Sequence, residues 1–71
     1  MDERQKLRTV VHHWIEHNES HLDEYRKWGE KASRLGLESV RANIEAAVEK
    51  LSESNLHLQR ALKTMEAEAQ S

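Results

Sequence analysis

Two runs of apolar residues, each recurring in alternating steps of three and four, are separated by a single glycine. That arrangement leaves the chain few folds to choose from. The first run is Leu7, Val11, Trp14, Asn18, His21, Tyr25, Trp28, Ala32 and Leu35; the second is Leu37, Val40, Ile44, Ala47/Val48, Leu51, Asn55, Leu58, Leu62 and Met65. Steps of three and four keep side chains on one face of an α-helix, so each run reads as the seam of a helix packed on other helices. Gly36 lies between the runs, in Arg34-Leu35-Gly36-Leu37. A glycine just past a helix takes the left-handed conformation without steric penalty, and an apolar residue after it folds back on the last turn. The pattern predicts an all-α antiparallel hairpin in one domain, with helix 1 at about 3–34, a turn at about 35–37 and helix 2 at about 38–68. Ser20-His21-Leu22-Asp23 resembles a capping box, which would break helix 1 near Asn18–Ser20 and make three helices. The seam continues through that point, which favours two.

A tight turn fixes the register. Counting outward from Gly36, the numbers of facing residues sum to about 72. Trp28 then meets Ile44, Tyr25 meets Val48, His21 meets Leu51, Trp14 meets Leu58, Val11 meets Leu62 and Leu7 meets Met65. Asn18 falls opposite Asn55, so the polar intruders of the two seams share one layer. Buried asparagines of this kind fix register and oligomeric state in coiled coils, at some cost in stability. Trp14, Tyr25 and Trp28 read as core aromatics, since aromatic bulk is what a bundle interior needs.

Val10, Ile15 and Leu22 flank the seam of helix 1, and Leu56 lies off that of helix 2. This is more apolar surface than one hairpin covers by itself. A core this small rarely supplies more than ~3–5 kcal/mol without staples or partners, and there is no cysteine to form a disulfide or a thiolate metal site. The simplest closed solution is a homodimer forming a four-helix bundle.

Charge excludes several partners. Residues 1–36 carry seven basic and seven acidic groups and residues 37–71 carry four and six, for a formal net charge of −2. No basic field exists to draw nucleic acid. Lys27, Lys31 and Arg34 make a short basic face that reads as solvated. The opening Met1–Arg8 is charged and lacks an apolar signal core, and no apolar run approaches membrane-spanning length. The expectation is a soluble, cytoplasmic protein with no membrane contact.

The segment 12–21, HHWIEHNESH, holds four of the five histidines. On a helix, His13, His17 and His21 form a ladder at i, i+4 and i+8, with Glu24 bordering it. Two neutral imidazoles one turn apart chelate Zn²⁺, Ni²⁺ or Co²⁺, and a carboxylate supplies a further ligand. His17 and His21 are the leading candidates, followed by His13 and Glu24, and His57 could join from the facing helix or from a second subunit. His12 points to the other side, toward Glu16. The segment is neither HExxH nor the Glu-x-x-His of di-iron bundles. It shares residue types with the HxxxE elements of hemerythrins, which need ligands from further helices. The plainer reading makes His21 a core histidine hydrogen-bonded to Asn18, Asn55 or water, His17 an edge residue, and His12 and His13 solvated.

The sequence gives little sign of catalysis. Ser20 and His21 diverge on a helix and cannot act as nucleophile and base. Asp23 and Glu24 lie among basic residues, and there is no glycine-rich phosphate loop.

His13-Trp14-Ile15-Glu16-His17-Asn18, then His21, Tyr25 and Trp28, then Asn55, Leu58, Ala61 and Leu62, make a pattern covering most of the chain. It resembles a family of small, uncharacterised prokaryotic helical proteins, some of which carry histidine-rich stretches. The resemblance implies handling of a transition metal. Three readings follow: a non-enzymatic protein binding zinc, nickel or cobalt through the ladder; a structural or protein-interaction module whose His and Asn residues form a buried polar layer; and an enzyme or small-molecule binder with its site at that layer. The first is the sharpest claim the residues make.

Overall fold

A computed structural model describes residues 2–70, with side chains through Glu68. It consists of two helices, α1 (Glu3–Arg34) and α2 (Glu38–Gln70), packed antiparallel as a hairpin. Asp2 starts α1. Its backbone is extended, and its Oδ1 accepts a hydrogen bond from the Gln5 amide at 2.9 Å, satisfying one of the free donors of the first turn. Glu3 in the first turn and Lys31 and Arg34 in the last complement the helix dipole. α1 runs through Asn18–Ser20 without a break.

The turn is a Schellman motif built on Gly36, which has φ +75°. The Leu37 amide donates to the Ala32 carbonyl at 2.9 Å, and the Gly36 amide donates to that of Ser33 at 3.0 Å. α2 starts directly afterwards, with the Arg41 amide donating to the Leu37 carbonyl. The Arg41 side chain spans the first two turns of α2, donating to Glu38 at 2.8 Å and Glu45 at 2.6 Å. Those bonds, that to Glu38 foremost, raise its pKa above the ordinary guanidinium value.

The molecule is a rod of 53 × 19 × 11 Å with a radius of gyration of 16.2 Å, where a compact chain of this length would have about 11 Å. Among the described residues, no helix is long and apolar enough to cross a membrane.

The register holds where it was most specific. Asn18 meets Asn55, and at the open end Arg8 pairs with Glu66 at 3.5 Å. The face of α1 turned toward α2 differs, however, from the expected seam. Val11, Asn18 and Ala32 keep their places, but Ile15, Leu22 and Gly29 are buried where Trp14, His21 and Trp28 were expected. Trp14 and Trp28 remain 48% and 52% exposed, and Leu7, Tyr25 and Leu35 also stay open to solvent.

The physical reason is size. α1 carries two apolar stripes offset by one residue, and a single facing helix covers only one of them. The stripe chosen has a glycine and an alanine near the turn, so the backbones can approach. A Cβ built on Gly29 would lie 3.4 Å from Ile44 Cγ2. An indole in that place would hold the helices apart. On α2 the expected seam is the less exposed face from Ile44 through Val48, Leu51, Asn55, Leu58 and Leu62 to Met65, whereas Leu37 and Val40 are exposed and the half-buried Arg41 stands beside Ile44.

Candidate functional site

Packing through Val11, Ile15 and Leu22 turns the other stripe of α1 outward. Leu7, Val10, Trp14, His17, His21, Tyr25 and Trp28 follow one another in steps of three and four along this outer face, and all are exposed. The histidine ladder occupies its middle. Consecutive apolar or aromatic pairs at Val10-Val11, Trp14-Ile15 and His21-Leu22 were the signal for two faces, and a single-seam reading merges them.

Along the ladder the rings pack in sequence. His13 stacks on His17 with centroids 6.0 Å apart and planes at 28°. His17 meets His21 edge-on, at 4.4 Å and 85°. The His21 ring lies 6.0 Å from that of Tyr25. The Nε2 atoms of His17 and His21 are 2.9 Å apart. A neutral imidazole donates from one nitrogen and accepts at the other, so in this contact one ring donates and its neighbour accepts. The pair is therefore pinned one turn apart, with the two Nε2 atoms facing each other. At the turn end of the stripe the Lys31 ammonium lies 4.3 Å from the centre of the Trp28 ring, a cation–π contact.

The other expected ligands are not gathered. His13 joins the ladder through its ring alone. Glu24 is exposed on α1 and His57 is exposed on α2. Among the described residues, no group of three or more His, Cys, Asp or Glu side chains is placed to hold a metal ion. His12 leans toward Glu16 at 3.9 Å, on the other side of the helix. His21 is not a core histidine: it is exposed, and its partner is His17.

Behind the ladder, on the inner face, lies the asparagine layer. Asn55 is 5% exposed, the one buried polar residue among those described. Its Nδ2 donates to the Ile15 carbonyl at 3.4 Å, and its Oδ1 accepts from Asn18 Nδ2 at 3.1 Å. A carbonyl only accepts, so Ile15 requires the amide nitrogen of Asn55 on its side and leaves the oxygen for Asn18. Two open grooves flank the helices, one near the free ends between Leu7 and Met65 and one near the turn beside Gly29 and Ile44.

One protein-family model, described as a domain of unknown function, matches the chain over residues 7–65. This span takes in the ladder, the asparagine layer and the turn. No curated protein and no solved structure matches the chain.

Proposed function

We propose that this chain, which belongs to the DUF8180 family, is a non-enzymatic assembly module whose outer α1 face binds a second copy to form a four-helix bundle. The observation that carries this reading is the row Leu7, Val10, Trp14, Tyr25 and Trp28, exposed in helical spacing on one face. Large apolar side chains lined up in this way mark an interaction surface.

Area identifies the occupant. A compact protein of 8.3 kDa exposes about 4,600 Å², whereas the hairpin exposes 5,667 Å². The excess, about 1,100 Å², is comparable with the ~800 Å² that each partner contributes to a standard stable interface. A two-fold dimer uses one patch twice, so a single self-complementary stripe suffices. Among the described residues no large side chain is fully buried, and a second hairpin laid on α1 would seal Val11, Ile15 and Leu22 between two layers. The Asn18–Asn55 bond acts within each copy, holding the helices in the register that presents the stripe.

Sedimentation velocity at micromolar concentration tests the proposal. The expected mass is twice 8.3 kDa, and Trp14→Glu with Trp28→Glu returns the single-chain mass while circular dichroism stays helical. A folded wild-type chain that sediments as a monomer at every concentration overturns it.

A further inference from the structure

We propose that His17 and His21 are one half of a divalent transition-metal site, completed by the same two histidines of a second copy. The inference rests on the dimer proposed above, and its test separates the two ideas.

Three observations lead there. The first is the bite of the pair. The two Nε2 atoms converge to 2.9 Å. Nitrogens bound to a tetrahedral ion at about 2.0–2.1 Å stand about 3.3 Å apart. Opening the pair by a few tenths of an ångström, with the donor ring moving its proton from Nε2 to Nδ1, lets both nitrogens face one ion.

The second is the shortfall in ligands. Two imidazoles half-fill a tetrahedral shell, and among the described residues no third His, Cys, Asp or Glu side chain joins them. A site with two ligands fixed and two missing is what one subunit of a shared site presents.

The third is position. The pair lies at the middle of the outer stripe, with Leu7, Val10 and Trp14 on one side and Tyr25 and Trp28 on the other. A two-fold dimer that buries this stripe brings the middle of one copy to the middle of the other. If the α1 helices run antiparallel, the axis crosses them at the midpoint. If they run parallel, each residue meets its own level. Either way the two pairs arrive together and offer four imidazole nitrogens.

Four neutral imidazoles suit Zn²⁺, and also Co²⁺ and Ni²⁺, which prefer nitrogen donors over the carboxylate and carbonyl sets that hold Mg²⁺ or Ca²⁺. The neighbouring rings support the site. His13 stacked on His17 and Tyr25 beside His21 restrict the rotation of both ligands. No charged side chain need enter the apolar stripe. Because the ion gains its full set of ligands only in the joined form, it binds that form more tightly and favours association by mass action.

The experiment combines sedimentation with metal titration on full-length protein, using Zn²⁺ for stoichiometry and Co²⁺ for its visible absorption. Expected for wild type are one Zn²⁺ per two chains and the intense absorption of tetrahedral Co²⁺. Replacing both ligands, His17→Ala with His21→Ala, should leave the EDTA-treated protein dimeric and weaken Zn²⁺ binding at least tenfold. A dimer that takes up no Zn²⁺, or whose uptake survives the double substitution, overturns the shared site and leaves the assembly reading standing. A chain that is monomeric in EDTA and dimeric with Zn²⁺ supports the shared site and overturns metal-free assembly. A monomer under both conditions overturns both.

Discussion

Asn18 donates a hydrogen bond through Nδ2 to Oδ1 of Asn55 across the hairpin, at 3.1 Å. It is the link between a buried amide on α2 and a half-buried one on α1, and it sets the level at which the two helices face each other. A slip of one helical turn would leave the Asn55 carboxamide against aliphatic side chains with no partner, which costs roughly 1–3 kcal/mol.

Asn55→Ala should therefore destabilise the fold by about 1 kcal/mol, near the lower end of the range for a broken buried bond, because half-buried Asn18 can turn to water. The double change Asn18→Leu with Asn55→Leu should act in the opposite sense, raising the melting temperature while loosening register and oligomeric state. Thermal denaturation and sedimentation of the two variants check this. A leucine pair that melts lower than wild type would show that the layer contributes net stability.

Gly36→Ala should cost about 1–2 kcal/mol, since φ +75° places a Cβ in the left-handed region. In a domain this size that is a fall of roughly 4–8 °C in Tm per kcal/mol. The surroundings are open at this position, so backbone conformation alone sets the loss, and Gly36→Asn should recover part of it. Equal melting of the alanine and asparagine variants would contradict this account.

Gly29 behaves differently. An alanine Cβ there meets Ile44 at 3.4 Å, an ordinary contact, while helix propensity favours alanine by about 1 kcal/mol. Gly29→Ala should be neutral or stabilising by up to about 1 kcal/mol. Gly29→Leu should destabilise, because the longer side chain pries α1 from α2. Urea titrations of the pair give the sign directly.

Tryptophan fluorescence reports the outer face. Trp14 and Trp28 are about half exposed in the single hairpin, so burial against a second copy should shift their emission to shorter wavelength and protect them from acrylamide. Dilution through the dissociation range should reverse both effects. Emission that stays the same at all concentrations, alongside a sedimentation coefficient fixed at the single-chain value, would count against the stripe as an interface.

Much of this molecule is legible in its amino-acid sequence; the face of α1 that meets α2 is the exception. Gly36 and the matched asparagines are single residues with one physical solution each, so turn and register follow from them. The facing side of α1 does not, because Trp14-Ile15, His21-Leu22 and Trp28-Gly29 each offer two candidates for the seam. Period alone cannot rank adjacent stripes. Side-chain volume against the facing helix ranks them, and Gly29 against Ile44 is where the difference tells. The ladder is likewise visible as spacing, and the structure brings the His17 and His21 nitrogens together. Glu24 borders the ladder by spacing and His57 lies on the facing helix, but gathering a third ligand within one chain depends on rotamer and side of approach, which spacing does not encode.

The Schellman turn also governs how the chain can find its fold. Every cross-helix contact encloses a loop centred on it, and the loop lengthens steadily from Gly29–Ile44 through Asn18–Asn55 to Arg8–Glu66. Each contact made near the turn shortens the free chain that the next must close, so the entropy lost at each step stays small. The hairpin should zip from Gly36 outward, quickly and without large searches. The outer row of α1, which lies within one helix, would then be complete in each copy before a second copy docks on it.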